Sequence, residues 1–387
     1  MIALIKAELR KNWKSGRFLV AFLCFLIFMS CAYIYCLQKD QEYYDDETMN
    51  IHYENTLVGD ISQSNISKLQ WMPKEEEPLG FREKTYLLLE ASDYISSWAN
   101  YRQAVEYFGY DKVTNVAYLR SKSLVSVLTN KYYDNELEGI GLTLSNLKDD
   151  VKYYGYMKDH DISMYHSPYE PNLLNFIIQL FQNEMMILLI MVSAFFLIDQ
   201  ICQDFDNGSY KNIYAMPVKR SAIMGAKVIS SLLMISVSFI IAFVLFAWIP
   251  FTQHGLGITE YPYRHNHELL TYIPLLMKVI PFVLVQLLFY MSICMIAATL
   301  FKNTTNTLLF MAGVLLMVYL GVQFFGLHNP WITWLPFFYI YPFDVIFGSY
   351  DYSYWFCMVA GLVSVVALFV FFWRKLEHVD LKGSDAS

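Results

Sequence analysis

Six apolar stretches, each long enough to cross a bilayer, constrain this 387-residue chain more than any other feature. Phe18 to Leu37 runs without a charge, and at about 1.5 Å per residue a helix of that length covers the ~30 Å hydrocarbon core. The other stretches are Leu174 to Ile198, Val228 to Pro250, Leu276 to Leu300, Thr307 to Phe325 and Tyr354 to Trp373. Backbone polar groups in lipid have no water to bond, so within single segments only helices satisfy them. The expectation is an all-α polytopic membrane protein of six transmembrane helices.

Lysine and arginine near the spans set the orientation, because basic flanks are retained on the cytoplasmic side. Lys6, Arg10, Lys11, Lys14 and Arg17 precede span one, and Lys211, Lys219, Arg220 and Lys227 follow span two. Lys302 follows span four, and Arg374, Lys375 and Lys382 follow span six. On the opposite side the loop after span three and its flank hold only Arg264 and Lys278, and Gly326 to Ser353 has no lysine or arginine. Both termini are therefore expected in the cytoplasm and the chain in the cell membrane. Trp13 and Trp373 at inner ends, with Trp248, Trp331, Trp334 and Trp355 at outer ends, suit interfacial belts. The first span is too long for a signal core, and no small-x-small cleavage site follows it.

Gln38 to Asn172 is a hydrophilic insert large enough for its own core. It carries 23 acidic and 13 basic residues, a net −10 against −7 for the whole chain. Tyr86, Leu89, Tyr94, Trp98, Tyr101, Val105 and Phe108 recur at helical spacing, as do weaker patterns over Val113 to Leu128 and Leu142 to Tyr156. A mostly helical extracellular domain is expected. Its acidity either attracts a cationic amphipathic peptide, with Glu75, Glu76 and Glu77 as a place of contact, or serves solubility alone. All six cysteines lie in or beside spans, so disulfides do not hold this domain. His254, His265 and His267 have no cysteine or fixed carboxylate beside them, and no metal site is assigned.

The loop after span two reads Asp204, Phe205, Asp206, Asn207, Gly208, Ser209, Tyr210, Lys211, then Pro217, Val218, Lys219, Arg220 and Lys227. A helix along the membrane surface from Gly208 to Met216 fits: Asp206 or Asn207 as cap, Gly208 and Ser209 for a tight turn, Pro217 as terminator. An ordinary basic loop has the same composition. In its Asp206, Gly208, Lys211, Pro217, Arg220 and Lys227 the loop resembles the permease subunits of ABC-2 type exporters, specifically the branch with a large external domain after span one. The likeness includes the helix before span one, the six spans, a proline-rich outer segment and the basic tail with Arg374, Lys375, Asp380 and Leu381. Aspartate at 204 and 206 departs from the glutamate usual in that family.

The resemblance implies that the loop helix docks on a separate ABC ATP-binding subunit, with Tyr210 and Tyr214 also in that contact. It also implies that two permeases, identical or related, make one working unit. ATP and Mg would then belong to the partner. The chain itself has no phosphate loop, and no glycine is followed directly by lysine. Neither a cofactor nor catalytic residues are assigned to it.

Before span one, Ile2, Ile5, Leu9 and Trp13 make an apolar stripe with Lys6, Arg10, Lys11 and Lys14 on other faces, the pattern of an interfacial helix on the lipid bilayer. Gln179, Gln182, Asn183 and Glu184 interrupt span two. They are candidates for a translocation path, unless the span begins near Glu184 and ends near Cys202, leaving them outside lipid. Gln286 and Gln323 fit helix packing equally well. Pro330, Pro336 and Pro342 break the outer segment into short re-entrant or interfacial pieces. No clustered acids, bases or metal ligands indicate a membrane transferase, and no patch indicates nucleic acid. An external ligand sensor or resistance subunit stays open beside the exporter.

Overall fold

The computed structural model describes residues 2–75, 80–108, 111–129, 142–163, 166–210, 218–265, 268–325, 334–348 and 352–378. Most of the expected docking helix, with Lys211, Tyr214 and Pro217, lies outside the described residues. So do Glu76, Glu77, His267, Pro330, Trp331, Asp380, Leu381 and Lys382.

The architecture is an all-α polytopic membrane fold with, among the described residues, one small hairpin. In chain order the helices are α1 (Ile2–Lys14), α2 (Arg17–Trp71), α3 (Phe81–Phe108), α4 (Asp111–Thr129), α5 (Leu144–Asp159), α6 (Leu173–Gln179) and α7 (Asn183–Asp206). Then follow α8 (Arg220–Phe246), α9 (Trp248–His254), α10 (Tyr272–Phe301), α11 (Thr304–Phe325), α12 (Pro342–Ile346) and α13 (Tyr354–His378). Strands β1 (Pro262–His265) and β2 (Glu268–Thr271) separate α9 from α10. Two compact units result: residues 1–34, 172–257 and 275–387 in one, and 35–171 with 258–274 in the other. Helix α2 contributes residues to both.

In the first unit six helices have the length and hydropathy to cross a membrane. Of their apolar windows, 67% is buried in spans two and four but only 17–28% in the others. Spans two and four (α7 and α10) are therefore the core, and the remaining spans turn broad apolar faces away from this chain, as helices in lipid do. Of the two bounds that the sequence allows for span two, the helix takes the start near Glu184. Helix α6 ends at Gln179, residues 180–182 turn, and Gln182 takes the N-cap position of α7. The span thus runs from Asn183 to Asp206 rather than from Leu174 to Ile198, because the polar Gln182 and Glu184 lie at its start and not inside it. Span one likewise continues beyond Leu37, as part of the 55-residue α2.

The second unit packs α3, α4 and α5 with the distal half of α2. Val58, Leu88, Ala91, Ile95, Leu124, Val127 and Leu147 form its core. In the first half of α3 the buried stripe is Phe81, Lys84, Thr85, Leu88, Ala91 and Ile95, while Tyr86 of the expected aromatic stripe is exposed; the side chains of Trp98, Tyr101, Val105 and Phe108 lie outside the described residues. Small Thr85 and Ala91 permit close helix approach, Thr85 returning its hydroxyl to the Phe81 carbonyl. Arg120 of α4 is buried among this packing and forks onto the Glu54 carboxylate of α2 while reaching Asp150 of α5 at 3.3 Å. The other Asp150 oxygen accepts from Arg264. Burial pushes the Arg120 guanidinium toward losing its proton, but Glu54 and Asp150 outweigh that and raise it above its ordinary value.

Arg264 belongs to the hairpin, a segment whose sequence, residues 251–275, reads only as an extracellular loop. Tyr263 pairs with Leu270 and Arg264 with Leu269. Strand alternation explains the outcome: Tyr263 is buried while its neighbour Arg264 reaches Asp150. Tyr153 of α5 and Tyr261 share a buried hydroxyl contact at 3.0 Å. The unit expected to be extracellular therefore includes residues from both sides of spans two and three in sequence.

Candidate functional site

The C-terminal turns of span two carry Asp199, Gln200, Cys202, Asp204 and Asp206, whose side chains meet α1, α2, α8 and α11 between them. Gln200 and Asp204, four residues apart, share a face. Across from them Lys227, Ser230 and Ser231 share a face of α8 by the same spacing. The two faces interlock. Lys227 donates to the Asp204 carboxylate and reaches the Gln200 carbonyl at 3.5 Å. Gln200 donates its amide to Ser230 Oγ at 2.6 Å and accepts from Ser231 at 2.5 Å. Lys227 is 3% and Asp204 4% exposed.

Helix α1 joins the same centre. Lys11 Nζ lies 3.1 Å from Asp204 Oδ1, and Arg17, at the start of α2, lies 3.0 Å from Asp199 Oδ2. Asp204 thus faces one buried cation and one half-exposed one, with Ser209 Oγ donating to it at 3.3 Å. Two positive partners offset the desolvation of one carboxylate, which is the condition for a buried ion pair to persist.

Asp206, a candidate cap of the loop helix in sequence, has a different role. Its carboxylate accepts from the Thr304 N–H at 3.3 Å, from the Thr304 hydroxyl, and from Asn303 Nδ2 at 3.3 Å. It therefore satisfies an orphan N–H at the start of span five, where a negative charge also complements the helix dipole. Cys202 Sγ lies 3.7 Å from Thr307 Oγ1 on the same span. Gly208 then ends span two with φ of +69°, a left-handed conformation that glycine adopts without strain, its N–H bonding to Phe205 O. Tyr210 rests its ring 5.5 Å from that of Phe205.

Of the residues singled out in sequence, Asp206, Gly208 and Tyr210 gather at this root of the loop, and Lys227 is its buried centre. Arg220 opens α8, two turns before Lys227. Sequence reading missed Asp199, Gln200, Lys11, Arg17, Ser230, Ser231 and Thr304 as members of one cluster. The available signal was the matched four-residue spacing of polar groups at the ends of two apolar spans. Gln179, Gln182 and Glu184 lie elsewhere, at the N-terminal end of span two: Gln179 is buried as the last residue of α6, and Glu184 sits in the first turn of α7. They do not form one face of a continuous helix. The side chain of Asn183 lies outside the described residues.

Residues 2–340 match the family model described as ABC-2 family transporter protein. The chain belongs to that family. No curated protein and no solved structure shows a significant match to it. As an ABC-2 permease it is a multi-pass membrane transport component, not a catalyst in its own right, and permeases of this family generally pair with an ABC ATP-binding subunit. The polar cluster includes the described residues on either side of the loop in which the family likeness is most local.

Proposed function

We propose that this chain is the membrane-spanning permease of an ATP-driven exporter, and that the root of its second loop couples ATP hydrolysis by a separate subunit to the spans. The observation that carries the reading is the junction at Asp204 and Asp206. Through these two side chains the loop root is bonded to α1, span three and span five, and Arg17 with Asp199 adds span one. A force on the loop therefore reaches three further spans and α1 through short polar contacts rather than through compressible apolar packing. ATP and Mg are assigned to the partner. A second permease copy would cover part of the apolar faces that spans one, three, five and six leave uncovered. A peptide, toxin or drug is the expected cargo, and the loop is assigned to the cytoplasmic side with both termini.

Coexpression with an ABC ATP-binding subunit encoded beside this chain tests the reading. Stoichiometric copurification is expected, with ATPase activity stimulated by the permease. Tyr210→Asp or Tyr214→Asp should place a charge in the contact and abolish that stimulation. Unchanged copurification yield and unchanged stimulated ATPase rate in both variants would sink the assignment of this loop as the coupling element.

A further inference from the structure

The burial of α1 is not the one its apolar stripe predicts. Leu4, Ile5, Glu8, Leu9 and Asn12 turn inward, with Asn12 buried, and the helix packs on span three. The opposite, exposed face carries Ile2, Lys6, Arg10, Trp13 and Lys14, with Ile2 83% and Trp13 69% exposed. The five cations of this region divide cleanly. Lys11 and Arg17 are committed to Asp204 and Asp199. Lys6, Arg10 and Lys14 have no carboxylate partner among the described residues, and they stand four residues apart on one line.

We infer that this line binds anionic phospholipid headgroups, with Trp13 and Ile2 inserted beside them. Three features select a lipid surface. A four-residue step advances about 6 Å along a helix, so the three cations form a row about 12 Å long. The two apolar side chains on the same face are of the kinds that partition into the headgroup and acyl boundary. Finally, the Trp13 ring lies 5.0 Å from the ring of Phe18, in the first turn of span one, which puts the row level with the point where the chain enters the membrane. An exposed aromatic and a free cationic row at that depth match a negatively charged leaflet in both charge and polarity. The same helix holds Asp204 through Lys11, so headgroup occupancy fixes the position of a helix bonded to the loop root. The binding itself is independent of what the chain transports and of any ATP-binding subunit.

The test uses the purified full-length chain alone in mixed micelles, titrated with brominated phosphatidylglycerol or brominated phosphatidylcholine. Quenching at Trp13 is read as the difference between the protein and its Trp13→Phe variant. Each cation near an anionic surface is worth roughly fivefold in partitioning, so about a hundredfold for three. Quenching at a mole fraction of phosphatidylglycerol far below that required of phosphatidylcholine is expected. This preference should weaken at about 0.5 M salt, given a Debye length of only a few ångströms near that concentration. It should disappear in Lys6→Gln/Arg10→Gln/Lys14→Gln and survive in Lys6→Arg/Lys14→Arg. Single glutamine variants, each at an exposed site, should shift the titration about fivefold and guard against a triple variant that fails to fold. Equal quenching by the two lipids, or an undiminished preference in the glutamine variants, would overturn the inference. So would loss of the quenching on adding the ATP-binding subunit, which would make the row a protein contact.

Discussion

Replacing Asp204 by asparagine tests the central ion pair, and its effect can be ranked from the geometry. The substitution keeps the shape and removes the charge, leaving the Lys227 ammonium, with its side chain 4% exposed, facing only neutral oxygens such as the Gln200 carbonyl at 3.5 Å and no counter-charge. Breaking a buried pair by removing one partner costs about 3–5 kcal/mol, because the remaining ion stays desolvated. Lys11→Gln removes the other partner of the same carboxylate, but Lys11 has a side chain 41% exposed. At that exposure the solvent-screened pair contributes no more than about 0–1 kcal/mol. Removing both buried ions together, as in Asp204→Leu/Lys227→Met, leaves an apolar contact of similar volume and should lie near the parent or above it. The expected order of thermal stability in detergent is therefore parent and double variant close together, Lys11→Gln slightly lower, and Asp204→Asn far lowest. Fluorescence-detected size-exclusion after heating measures the order without requiring reversible unfolding. Equal losses for Asp204→Asn and Lys11→Gln, or a double variant as unstable as the single one, would refute the argument that desolvation of Lys227 dominates.

Other substitutions probe particular contacts. Gly361 of span six lies so close to span four that a methyl group there would approach Val285 Cγ1 to 2.8 Å, and the stiff valine cannot yield; Gly361→Ala should destabilise by about 1–3 kcal/mol in the same assay. Gly257 combines a φ of +93° with a position where a Cβ would overlap the Asn172 side chain, which caps α6 through the Asn175 N–H; Gly257→Ala should cost about 2 kcal/mol or more by strain and loss of that cap. His166 is raised above its ordinary value by its bond to Glu170, against a smaller opposing effect of burial. Its contribution to the stability of the second unit should be complete below about pH 6.5, the unfolded value, and lost as pH rises through the higher folded one; His166→Gln should abolish that slope in hydrogen exchange measured across the range. For topology, cysteine at Ser97 should react with an impermeant maleimide on intact cells and cysteine at Ser209 only after permeabilisation, and the reverse order would invert the assigned orientation.

The spans were legible because hydropathy over about twenty residues is a local property, and lipid leaves the backbone no alternative to helix. Span boundaries were less so. The start of span two depends on one turn at residues 180–182, where Gln182 takes the N-cap position; a hydropathy window averages across such a turn. In the first half of α3 the exposed Tyr86 departs from the aromatic pattern, because large rings weigh heavily in a periodicity whereas the buried positions there include the small Thr85 and Ala91. The hairpin was invisible for a different reason: Arg264 has its reason for position in Asp150, 114 residues earlier. The loop reading named Asp204, Asp206 and Lys227 but not the pairings that give them meaning. Those pairings, Asp206 with Thr304 and Lys227 with Asp204 and Gln200, are set by tertiary register alone.

That register bears on coupling. Lys227 is the last cation before span three becomes wholly uncharged, and Asp204 is the most buried carboxylate of the cluster at the end of span two. A one-turn slide of either helix would move its charge about 5.4 Å and separate the pair. Because both ions are buried, separation is disfavoured by far more than thermal energy, so spans two and three should move as one body. Asp206 is different: its partners at the start of span five are exposed hydroxyl, amide and backbone groups that water can replace. If the loop root transmits motion, the sliding surface lies between span two and span five rather than between spans two and three. Crosslinks across the first pair should then change with nucleotide state in the assembled transporter, and crosslinks across the second should not. A nucleotide-dependent change between spans two and three would contradict the rigidity ascribed to the Asp204 and Lys227 pair.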